Sequence, residues 1–185
     1  MLPWGHLALG YLLYHLLLRL GDPERGPADA PTLALAVGTQ FPDLVDKPGA
    51  WTLGVVPSGR SVGHSVFVLV PLVALLWTVA SPARRGVVAA FAVGVGSHLV
   101  GDSWGSLLAG DVGDLTFVLW PVYPVEPEHG RSFVEFFLNL SLTPVLAVGV
   151  ALSALTLVVW YRDGCPGVGL LVSWARAGAT AVAGR

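Results

Sequence analysis

Charge is scarce in this chain. Of its 185 residues, 12% are Asp, Glu, Lys or Arg, against about 25% in an average soluble domain. Hydrophobic residues reach 54% and the mean hydropathy is +0.70, so lipid is the expected solvent for much of the surface. Cysteine is nearly missing. Cys165 stands alone, which excludes an internal disulfide and a thiolate cage for zinc and leaves imidazole and carboxylate as metal-binding groups. Basic residues do not exceed acidic ones, and the net charge of −2 excludes a nucleic-acid partner held by phosphate contacts. Positive charge is also lacking ahead of the first apolar stretch. Met1 to Gly5 carry no Lys or Arg, which a signal peptide would need, so Leu7–Leu20 reads as a retained helix.

What is present is a series of apolar stretches. Val66–Ala83 and Phe136–Tyr161, 18 and 26 residues long, contain no acidic or basic side chain. Each is long enough to cross a hydrocarbon core of about 30 Å, with Pro71 and Pro144 as expected kinks. Gly86–Gly101 is a third stretch. Trp4–Leu20 is a fourth, opened by Pro3 in a first helical turn. Pro31–Phe41 has 11 residues, too short to span unless its Asp-rich end lies in a wet cavity between helices. Leu115–Val125, interrupted by Pro121 and Pro124, reads as a re-entrant or interfacial segment. The expected fold is all-α: a polytopic membrane helix bundle of about four to five short spans over residues 1–163, followed by a surface tail, 164–185.

Alternating spans divide the charged residues between two membrane faces. Arg19, Arg25, Arg84, Arg85 and Arg162 fall on one, with Arg176 and Arg185 if the tail stays there. Lys47, Arg60 and Arg131 fall on the other. The positive-inside bias makes the first face cytoplasmic. The opposite, extracytoplasmic face receives His6, Asp43, Asp46, His64, His98 and Asp102, each at or near the end of an expected span. Ionisable groups at membrane depth are costly and turn toward a cavity or toward one another. Their arrival at one depth from four separate stretches is the strongest signal in the sequence.

Each residue also has a plainer reading. His98 and Asp102, four apart on a helix, share a face and can reach one ion at about 2.0–2.2 Å, or form a helix-end hydrogen bond. Asp43 and Asp46 can flank metals, or cap a turn after Pro42. His64 can be a ligand, while Ser65 serves as a helix cap. His6 is a further ligand or an interfacial histidine. Arg60 can clamp a phosphate or carboxylate, or be an ordinary surface arginine. His15 lies toward the other face and reads as structural. His129, with Glu126 and Glu128, reads as part of a solvated loop. The donor set suits Zn²⁺, with Mn²⁺ or Fe²⁺ as alternatives. An open coordination position would hold a water activated for hydrolysis, with Asp46 as general base.

In order, His6-Leu7-Ala8-Leu9-Gly10, Gly38-Thr39-Gln40-Phe41-Pro42-Asp43-Leu44-Val45-Asp46, Gly63-His64-Ser65, Ser97-His98-Leu99-Val100-Gly101-Asp102 and Leu119-Trp120-Pro121 resemble the membrane-bound metal-dependent hydrolases, also described as LexA-binding, inner-membrane-associated hydrolases. The resemblance covers roughly residues 4–125. It implies a helical membrane protein of the cell or inner membrane with a divalent metal site. More distantly, the order of Asp43, His64, His98 and Asp102 is similar to the zinc-dependent phospholipase C and single-strand nuclease group, which implies a shared metal and a phosphoester substrate. Members of the hydrolase family often carry a His-Arg pair where Gly59-Arg60 stands here, so a single metal is expected. The functional expectation is a metal-dependent hydrolase of a membrane-proximal or lipid-linked (phospho)ester. The alternative is a non-enzymatic membrane protein whose His/Asp cluster binds metal or is structural.

Overall fold

The computed structural model describes residues 1–128, 134, 138 and 143–183. Among them the chain is helical and has no strand. The helices are α1 (Pro3–Gly21), α2 (Asp29–Lys47), α3 (Val66–Val79), α4 (Arg85–Ala109), α5 (Pro144–Arg162) and α6 (Val168–Ala183). A π-helical turn, Pro48–Leu53, prolongs α2, and 3-10 turns cover Pro82–Arg84 and Gly113–Leu119. His129, Arg131, Asn139, Arg185 and the start of Phe136–Tyr161 lie outside the described residues.

Local chemistry sets several boundaries. Pro3 and Pro144 each sit in a first helical turn, where the missing N–H costs nothing. Thr143 and Ser65 cap α5 and α3, accepting hydrogen bonds from Leu146 N–H and Phe67 N–H, both at 3.1 Å. The α3 helix stops at Val79, short of the expected Ala83, because Pro82 draws the preceding residues away from helical geometry. Two elements are longer than the sequence suggests. Helix α2 passes through Pro42 instead of ending at Phe41, which puts Asp43 and Asp46 on the helix rather than in a turn. Helix α4 runs 25 residues, so His98 and Asp102 lie inside it and not at its end. The stretch expected to be re-entrant begins instead as the Gly113–Leu119 3-10 turn.

Helices α2 and α4 form the most extensive packing pair, and α1 lies against α2, α4 and α5. The α2–α4 approach depends on glycine. A Cβ at Gly38 would stand 2.3 Å from the Phe91 carbonyl oxygen, and one at Gly94 would stand 2.4 Å from that of Leu35. Tyr11, Tyr14, Leu35 and Ala90 make a small apolar core. Nearby, Asp163 at the end of α5 accepts hydrogen bonds from Tyr11 Oη and His15 Nδ1, both at 2.7 Å, and Arg19 lies 3.7 Å away. His15 is a structural tie between α1 and α5.

Much of the remaining surface is apolar. Leu155, Leu157 and Val158 on α5 and Phe67, Val70 and Leu75 on α3 are all exposed. Two helical stretches, Pro82–Ala109 and Pro144–Arg162, are long and apolar enough to cross a membrane, and α3 is apolar but shorter. Of the expected four to five spans, two are supported by length and composition on their own among the described residues. The expected tail is the helix α6, joined to α2 by the Gly167 N–H, which donates to Asp29 Oδ1 at 2.7 Å.

Candidate metal centre

Four residues from three parts of the chain meet at one end of the bundle. Asp43 comes from α2, His64 from the loop before α3, and His98 and Asp102 from α4. Each offers one ligand atom, and all four atoms lie within 4.8 Å of one another. His64 Nε2 and His98 Nε2 are 3.1 Å apart. Asp43 Oδ1 is 3.7 Å from each of them, and Asp102 Oδ2 is 3.6 Å from His64 Nε2 and 3.9 Å from His98 Nε2. Four ligands around a tetrahedral zinc ion stand roughly 3.3–3.6 Å from one another. The observed separations need only small side-chain adjustments to match.

The surrounding hydrogen bonds determine what the four atoms can do. His98 Nδ1 lies 2.7 Å from the Thr39 carbonyl oxygen. A carbonyl only accepts, so Nδ1 carries the proton and Nε2 presents a lone pair. His64 Nδ1 lies 2.8 Å from Asp46 Oδ2, which orients that ring in the same way. Asp43 Oδ1 is buried and has no hydrogen-bond partner. Two imidazole nitrogens and two carboxylate oxygens thus converge, the ligand set of a cation site, and Asp102 Oδ2 among them also accepts from Arg60 Nε. His64 is fully buried. Burial disfavours its charged form, yet the Asp102 and Asp46 carboxylates outweigh that and hold its pKa above the ordinary histidine value.

Asp46 occupies a different place from the one a general base needs. It is fully buried and accepts hydrogen bonds from Ser61 N–H at 2.6 Å, Gly63 N–H at 2.8 Å and His64 Nδ1 at 2.8 Å. These bonds fold the 58–64 loop onto α2. Gly63 permits the contact, because a Cβ there would stand 2.7 Å from the Pro42 carbonyl oxygen. Ser65 completes the loop, donating its hydroxyl to the Trp120 carbonyl while it caps α3.

His6 stands beside the four ligands and not among them. Its ring stacks on His98 with centroids 3.9 Å apart, and its Nε2 is 3.1 Å from the Met1 carbonyl oxygen and 3.2 Å from Asp102 Oδ1. That carboxylate oxygen also receives the Met1 amino group at 2.8 Å. Arg60 Nε is 2.9 Å from Asp102 Oδ2, and Lys47 Nζ is 2.6 Å from Asp43 Oδ2. Both cations line a cavity of about 230 Å³ that opens beside Asp102. Sequence reasoning overlooked Lys47 and Glu128 as cavity residues. The four-residue spacing of Asp43 and Lys47 on α2 was the available signal for the first, and nothing local pointed to the second.

An all-helical protein with an apolar exterior and a buried His/Asp cluster is, as a class, a membrane protein with a candidate metal centre. The chain belongs to the YdjM inner membrane protein family, whose family model matches residues 1–183. No curated protein and no solved structure matches the chain.

Proposed function

We propose that this protein is a membrane-embedded, metal-dependent hydrolase that cleaves a membrane-proximal or lipid-linked ester, with phosphoesters as the substrate class. Asp43, His64, His98 and Asp102 would hold one divalent ion, zinc by donor type, with manganese or iron as alternatives. A bound ion would bring the pKa of a ligated water toward about 7 and so supply a nucleophile. The chain's own residues do the rest. Thr39 and Asp46 fix the two imidazole tautomers, His6 orients Asp102 and stacks on His98, and Arg60 and Lys47 set positive charge beside the reacting ester. Helices α1 to α5 would cross the membrane in alternation, with the site at the extracytoplasmic face, as the distribution of arginines suggests.

The observation that carries this reading is the convergence of two imidazole nitrogens and two carboxylate oxygens within 4.8 Å of one another, including the partnerless Asp43 Oδ1. The test is elemental analysis of detergent-purified protein beside a His98→Ala variant, followed by turnover of a phosphodiester panel. About one zinc per chain, lost in the variant, together with hydrolysis, is the expected result. A metal-free wild type would overturn the reading.

One observation favours a second reading. Each of the two ligand carboxylates also pairs with a basic side chain, Asp43 with Lys47 and Asp102 with Arg60. The cluster would then be a polar tie between helix ends, or a metal site without turnover. Stoichiometric metal with no hydrolysis of any ester in the panel would decide for it.

A further inference from the structure

The cavity beside the ligand residues is lined by Lys47, Trp51, Gly59, Arg60, Asp102 and Glu128, together with Met1. At about 230 Å³ it is smaller than the roughly 300–1,000 Å³ of drug-sized pockets and suits a small polar head group. Its lining carries both signs of charge. On the side of the ligands, Arg60 bonds Asp102 Oδ2 through Nε at 2.9 Å. Lys47 leans on the outer oxygen of Asp43. A divalent cation held by Asp43 and Asp102 would take up the charge of those carboxylates and leave the positive charge of Arg60 and Lys47 facing the cavity. A guanidinium fork beside an ammonium is a well-suited receptor for phosphate oxygens.

On the far side, Glu128 Oε2 accepts a hydrogen bond from the Gly59 N–H at 3.2 Å. A Cβ at position 59 would stand 3.2 Å from that same oxygen and 3.2 Å from Trp51 Nε1. Glycine there keeps open the gap between a carboxylate and an indole. A carboxylate in the wall repels a bare phosphate, whereas a carboxylate with an indole attracts an ammonium group.

We propose that this cavity is a head-group subsite for an aminoalkyl phosphoester, with the phosphate held between Arg60 and Lys47 and the ammonium between Glu128 and Trp51. The inference rests on the hydrolase reading and deepens it by naming the substrate's head group.

Calorimetric titration of the zinc-loaded, full-length protein in detergent tests it, with aminoethyl phosphate, glycerol phosphate and inorganic phosphate as probes. Losing a charge-assisted hydrogen bond predicts that aminoethyl phosphate binds about 10-fold more tightly than the other two. In Glu128→Gln, which keeps the acceptor for Gly59, the three probes should converge while zinc content stays at the wild-type level. Equal affinities in the wild type, a preference that survives Glu128→Gln, or no binding of any probe would each overturn the proposal. Zinc content separates the two ideas. With zinc present and no preference, only the subsite falls; with no zinc taken up, both fall. Displacement of the bound probe by micelles containing phosphatidylethanolamine, and not by those containing phosphatidylglycerol, would support a lipid source. Displacement by neither would support a free phosphoester.

Discussion

Two imidazole nitrogens 3.1 Å apart, each presenting a lone pair, repel unless a positive charge lies between them. A proton can serve in the ion's absence, and the raised pKa of His64 agrees with that. A metal must displace this proton, so apparent affinity should fall as pH drops through the ordinary histidine range and level off only above it. Titrating zinc in two buffers of different ionisation enthalpy should reveal the released proton. Asp46→Asn should weaken metal binding about 10- to 100-fold without abolishing it, because the amide keeps an acceptor for only one of the two loop N–H groups and orients His64 poorly. His64→Ala should remove the metal outright, as read by elemental analysis. Legibility at this scale followed spacing. The four-residue interval between His98 and Asp102 announced a shared face, and His64 and Asp43 were legible as residue types placed at one membrane depth. The Thr39 carbonyl was not legible, since every residue has one and only the α2–α4 contact aims it at His98. His6 was legible as a residue at this depth, but its stacking on His98 was not, because that depends on how α1 crosses α4.

Helix α2 is the element on which the site is built. It carries Asp43, Asp46 and Lys47 within two turns, and it meets α4 where Gly38 faces the Phe91 carbonyl. Gly38→Ala or Gly94→Ala forces a Cβ against backbone that has no rotamer to change. Each should destabilise the fold by about 1–3 kcal/mol, measured by denaturant unfolding in detergent, and should weaken metal binding by separating Asp43 from His98. The extent of α2 was poorly legible. Pro42 reads as a helix end, yet here the helix continues through it and into the π-helical turn beyond, and packing against α4 outweighs the local preference. The start of α3 was easier, because Ser65 states its capping role locally, whereas Pro144, expected as a kink inside a longer stretch, instead opens α5 behind the Thr143 cap.

At the scale of the whole molecule, the all-helical, apolar character followed directly from composition, while the number of crossings did not. Short helices that bury polar residues, such as α2, look unlike spans to any measure of hydropathy. Topology is open to a direct test through the lone cysteine. Cys165, half-buried after α5, should react with a membrane-impermeant maleimide only after cells are permeabilised, whereas Leu53→Cys in a Cys165→Ser background should react in intact spheroplasts. The ligand set also spans the molecule, since it draws on α2, the 58–64 loop and α4. An ion chelated by all four residues would rivet these three pieces of chain together as a covalent bridge would. Thermal melting should then shift upward with free zinc by mass action, at about 2.7 kcal/mol for a hundredfold excess over Kd. Metal starvation would loosen one end of the bundle while the distant Tyr11–Asp163 clasp holds the other, so that zinc supply itself would tune how firmly the protein is shut.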